Sequence, residues 1–79
     1  MTTDELRVVT RVRHLARTGI ARVLREEAGV GLVELAGAIG SAPSTLSRWE
    51  RGLTSPRPKG AIAWSRALDA AGADRGEQR

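Results

Sequence analysis

Between Pro43 and Arg51 the chain reads Pro-Ser-Thr-Leu-Ser-Arg-Trp-Glu-Arg, a stretch dense in hydroxyl and guanidinium groups. Such groups break no bonds unaided. They exchange hydrogen bonds, and a guanidinium presents a planar fork of donors that matches a phosphate or the edge of guanine. If Leu46 and Trp49, three residues apart, face inward on a helix, then Pro43, Ser44, Thr45, Ser47 and Arg48 face outward. Nothing else in the chain competes as a chemical centre. His14 is its one histidine, it has no cysteine, no His or carboxylate cluster has metal-ligand spacing, and its glycines form no phosphate-binding loop. A non-enzyme without cofactor or metal is expected. His14 reads as an exposed residue of the first helix, and Asp69, Asp74 and Glu77 read as solvated.

Composition narrows the partner. The 79 residues carry a formal charge of +4, and Lys59 is the only lysine among 13 basic residues. A basic balance favours an anionic partner, nucleic acid or a membrane face. The arginine bias suits phosphate and guanine, and equally a GC-rich genome. Residues Arg7, Arg11, Arg13, Arg17, Arg22 and Arg25 could form a stripe along a phosphate backbone or an anionic membrane, or simply a solvated face. No apolar run reaches the roughly eighteen residues of a membrane span. Asp4 and Glu5 argue against a signal or transit peptide, so a cytoplasmic protein of a bacterium, or of a virus in its bacterial host, is expected.

Helices must position these groups. Apolar residues make up 41% of the chain and aromatic residues 3%, all of them Trp49 and Trp64, which calls for a small aliphatic core in one domain. Leu6, Val9, Val12, Leu15, Ala16, Ile20, Val23, Leu24 and Ala28 recur at steps of three and four, predicting two helices, or one bent at 17–19. Thr2 with Glu5 reads as a capping box at their start. Gly29 to Gly31 ends the run, and Leu32, Leu35, Ala36 and Ile39 predict a helix over 32–39 closed by Gly40. Pro43 opens the next helix at its first position and Gly52 closes it. Thr54 to Pro58 forms a rigid polar loop before a last helix with Ala61, Ile62, Ala63, Trp64, Ala67 and Leu68 on its apolar face. The segment 72–79 reads as a flexible tail.

The spacing of helix, short glycine connection and helix across 32–52 is that of a helix-turn-helix. The words LREEAG at 24–29, ELA at 34–36 and above all STLSRWERG at 44–52 resemble the Xre family, the Cro and repressor-type regulators with a lambda-repressor-like fold. The resemblance covers about residues 18–70. It implies an all-α bundle of about five short helices, here a domain over 18–71 with an additional N-terminal helix over 1–17. It implies sequence-specific binding of double-stranded DNA by a small transcriptional regulator, with the 43–51 helix in the major groove. Carried over residue by residue, base contacts fall on Pro43, Ser44 and Arg48, with Thr45 or Ser47 reaching a base or a phosphate. Arg48, able to bond guanine bidentately, is the expected specificity residue, worth about 1–3 kcal/mol of discrimination. The same pattern pairs Arg25 with Glu50 in a partly buried ion pair. Ala36 is small where the two helices of the unit cross, Trp49 plugs one side of it, and Leu35, Ile39, Leu46 and Trp64 form the core.

Two positions depart from that pattern. Gly31 and Leu32 stand where many members have a Ser or Thr cap and a phosphate-binding glutamine, leaving only the backbone N–H groups at Leu32. Ala42 and Pro43 replace a Ser cap and a polar reader. Arg51, Thr54, Arg57 and Lys59 are the remaining candidates for phosphate contact. A homodimer on DNA and a monomer in solution both fit, and so short a chain leaves no room for a small-molecule ligand domain. Leu6, Val9 and Val12 serve either a second copy or the chain's own domain. The rival function is a protein-interaction module on the same fold, an antitoxin or anti-repressor, which would make the outer face of 43–51 apolar.

Overall fold

A computed structural model of the chain describes the backbone through residue 77 and the side chains through residue 72. Its first helix, α1 (Thr3–Arg17), begins at a reciprocal cap. The Glu5 N–H donates to Thr2 Oγ1 at 3.1 Å and the Thr2 N–H donates to Glu5 Oε1 at 2.9 Å, satisfying two orphan donors of the helix end. These bonds to Thr2 hold the Glu5 carboxyl below its ordinary pKa. The helix ends where the Thr18 hydroxyl donates back to the His14 carbonyl at 2.9 Å, and Gly19 turns the chain at φ 80°, a conformation open cheaply to glycine. There follow α2 (Ile20–Glu27), α3 (Leu32–Ile39), α4 (Pro43–Glu50) and α5 (Pro58–Glu77). All regular structure among the described residues is helical.

The total of five includes α1, and α5 is 20 residues long rather than short. It continues through Gly72 to Glu77, over the first part of the expected tail; residues 78 and 79 lie outside the described residues. A run of alanines and charged residues without proline carries the helix past Gly72 and Gly76, at a cost of about 1 kcal/mol each.

Helix α1 lies along α5 and buries Val9, Val12 and Ala16 in the same core as Ala21, Leu35, Ala36, Leu46, Ala61, Trp64 and Leu68. The stripe offered to a second copy is thus used within the chain at Val9 and Val12, while Leu6 is exposed. Ile39 is half-buried and packs against this core rather than inside it. In α2 the inward face is Ala21 and Arg25, and Ile20, Val23 and Leu24 are exposed.

Candidate nucleic-acid interface

The unit α3–turn–α4 is set by two small residues. Ala36 is fully buried, and Gly40, at φ 70°, lets the chain reverse so that the Ser41 N–H donates to the Ala36 carbonyl at 2.9 Å. Pro43 at the first position of α4 has no N–H to leave unpaired. Leu46 and Glu50, one turn apart, are the buried residues of α4. At 3.6 residues per turn the opposite face belongs to Ser44 and Arg48, with Arg51 beside them, and all three are exposed. Pro43 is exposed at the helix start; Thr45 and Ser47 are half-buried on the flanks.

The inner side of α4 is locked by two contacts. Arg25 reaches from α2 to Glu50 with Nε donating to Oε2 at 2.7 Å and Nη2 donating to Oε1 at 3.1 Å, while Nη1 donates to the Val30 carbonyl at 3.0 Å. Both side chains are nearly sealed from solvent. The hydrogen bonds to Glu50 raise the Arg25 pKa further, so the guanidinium is charged at any working pH. Trp49 stacks on Trp64, ring centroids 5.5 Å apart and tilted by 36°. Its edge lies over Gly60, where a Cβ would come within 3.0 Å of Trp49 Cη2. The Trp49 ring is therefore a packing element of the α4–α5 contact.

Past Glu50, Gly52 takes φ 72° and the Leu53 N–H donates to the Arg48 carbonyl at 3.0 Å, closing α4. The loop that follows is anchored from α1. Arg13 Nη2 and Nε donate to the Pro56 carbonyl at 2.8 and 3.2 Å, and Pro56 itself is fully buried. Local spacing in the sequence held no signal for this bond, whose partners are 43 residues apart.

A family model described as a helix-turn-helix domain matches residues 20–79. The chain belongs to this helix-turn-helix family. No curated protein and no solved structure matches it. The family match takes in α2 to α5 and leaves α1 outside, and membership supports DNA binding.

In this helix-turn-helix domain the candidate phosphate contacts fall in separate places. Arg51 and Thr54 are exposed at the end of α4 and in the loop, Arg51 Nε donating weakly to the Ser47 carbonyl at 3.5 Å. Arg57 and Lys59, also exposed, border a groove of about 410 Å³ that runs past Trp49 to the turn at Ile39–Ser41. Arg48, Arg57 and Lys59 have no ion-pair partner among the described residues. At α3, Leu32 is partly buried against the core and Glu34 Oε1 accepts from the Gly31 N–H at 2.9 Å. That carboxylate occupies the helix end where Leu32 would offer N–H groups to phosphate, and it weakens the position for an anion. Among the described residues no helix is long and apolar enough to cross a membrane, and no group of acidic or histidine side chains could hold a metal ion.

Proposed function

We propose that this protein is a transcriptional regulator that binds double-stranded DNA sequence-specifically, with α4 in the major groove. The observation that carries the reading is the division of α4. Its inner side is pinned by Leu46, Glu50 and Trp49, and its outer face offers Ser44, Arg48 and Arg51. A helix so anchored presents its outward, N-terminal side chains to base edges. Arg48 is the main direct reader, through a bidentate bond to guanine, assisted by Pro43 and Ser44, with Thr45 and Ser47 at the margins of the contact. Arg51, Thr54, Arg57 and Lys59 hold phosphates and supply the sequence-independent affinity, and the α3 terminus at Leu32 contributes little beside Glu34. With one strong reader, specificity rests in part on DNA shape.

A Cro-like repressor of bacterial or phage origin, working in the host cytoplasm and pairing as a homodimer on a two-fold operator, is the role that fits this reading. An interaction module on the same fold would need an apolar outer face on α4, and the polar, cationic one argues for DNA. The test compares Arg48→Ala with Arg57→Ala on a bound duplex. Arg48→Ala should flatten the preference at one base pair, whereas Arg57→Ala should weaken all duplexes alike. Equal losses on every sequence from both variants would refute the assignment.

A further inference from the structure

Six arginines of α1 and α2 could have formed one cationic stripe, but the fold divides them. Arg25 pairs with Glu50, Arg13 with the Pro56 carbonyl, Arg11 with Asp69 at 3.5 Å and Arg22 with Glu26 at 3.7 Å. Arg7 and Arg17 alone of the six have no hydrogen bond or ion pair among the described residues. They differ in place. Arg7 is in the N-terminal half of α1, about 15 Å along the helix axis from Arg17. Arg17 is the last residue of α1, and its Cα lies 3.8 Å from where a Cβ on Gly52 would be.

Gly52 is the residue that follows Arg51 and opens the loop bearing Thr54 and Arg57. Arg17 is thus an exposed residue whose backbone lies against the segment that bears Arg51 and Thr54, and whose guanidinium has no partner among the described residues; Arg13, one turn earlier on α1, fixes the far end of that segment through Pro56. An exposed guanidinium that no carboxylate engages is free to meet an anion brought to the neighbouring segment. We propose that the last turn of α1 is part of the DNA-contact surface, with Arg17 supplying a phosphate contact beside the loop that Arg13 holds in position. This rests on the DNA-binding reading above, and it extends the interface onto a helix outside the family match.

Arg7 supplies the control, since Arg7→Gln and Arg17→Gln each remove one charge from an exposed site on the same helix. Binding of a duplex selected with the wild-type protein is measured across a salt series. Each phosphate contact contributes about 0.9 to the slope of log K against log salt concentration. Arg17→Gln should reduce the slope by about that amount with the melting temperature unchanged, and Arg7→Gln should leave the slope as it is. Amide exchange in the absence of DNA reads the clamp separately: Arg13→Ala should speed exchange of the Leu53 N–H, which donates to the Arg48 carbonyl at the start of the loop, and Arg13→Lys should restore part of the protection. Equal slopes for wild type and Arg17→Gln, or equal losses for Arg7→Gln and Arg17→Gln, would overturn the Arg17 contact. Unchanged exchange in Arg13→Ala would overturn the clamp. A wild-type protein that binds no duplex would remove the DNA-binding reading itself, an outcome distinct from either.

Discussion

Replacing Glu50 by alanine should be among the most damaging single changes in this protein, although the residue touches no proposed ligand. Its carboxylate accepts two hydrogen bonds from Arg25, at 2.7 and 3.1 Å, and both side chains are buried. Arg25 would keep only the Val30 carbonyl. Charge-assisted bonds contribute about 1.5–3 kcal/mol each, so losing two removes about 3–6 kcal/mol. The general cost of breaking a buried pair, about 3–5 kcal/mol, agrees. Domains of this size have a total stability of only about 4–12 kcal/mol, and a loss of about 3 kcal/mol lowers Tm by roughly 12–24 °C. Thermal melting followed by circular dichroism reads this directly. The double variant Arg25→Met, Glu50→Leu should melt above either single variant, because no charge is then stranded. A Glu50→Ala protein melting within about 3 °C of wild type, less than 1 kcal/mol alone produces, would refute the reasoning.

Three further outcomes follow from the same packing. Ala36→Leu places a large side chain where α3 and α4 meet and where Ala36 is fully buried, and should cost about 1–3 kcal/mol by chemical denaturation. Gly60→Ala brings a methyl within 3.0 Å of Trp49, which is held against Trp64; overpacking of about 1–3 kcal/mol outweighs a helix-propensity gain of at most about 1 kcal/mol. That variant should melt lower and shift the tryptophan emission. Glu5 has a pKa lowered from 4.5, so its capping contribution is complete above that value and is lost as pH falls through the lower folded pKa. Wild type should therefore be more helical than Glu5→Gln at neutral pH, and the difference should vanish in acid.

What could be read from the sequence depended on how local the cause was. The bounds of α3 and the start of α4 were legible because Gly31, Gly40 and Pro43 act on their own backbone and Leu32, Leu35, Ala36 and Ile39 repeat at helical steps. From periodicity alone the face of α2 was not, although the family resemblance implied the pairing of Arg25 with Glu50. Periodicity drew one apolar stripe from α1 through Ile20, Val23 and Leu24, but the turn at Gly19 re-aims the helix, and the distant Glu50 draws Arg25 inward in their place. Pro56 read as part of a polar loop and is buried, held by an arginine that local spacing assigned to a solvated or phosphate-facing stripe. The division of α4 was legible in outline, with Leu46 inward and Ser44 and Arg48 outward, whereas the half-burial of Thr45 and Ser47 depends on neighbouring helices. The carboxylate of Glu34 at the start of α3 shows the same limit: the sequence showed the missing side-chain cap at Gly31 but not that Glu34 would accept from the Gly31 N–H.

We propose that α4 reads duplex DNA chiefly through Arg48. Selection of bound sequences from random duplex DNA, run in parallel with wild type and Arg48→Ala, tests it most directly. Wild type should enrich a short motif whose best-defined position is a guanine, and the variant should lose that preference alone, with salt-dependent binding retained. Enrichment of no motif by the wild-type protein, or an identical motif from both proteins, would contradict it.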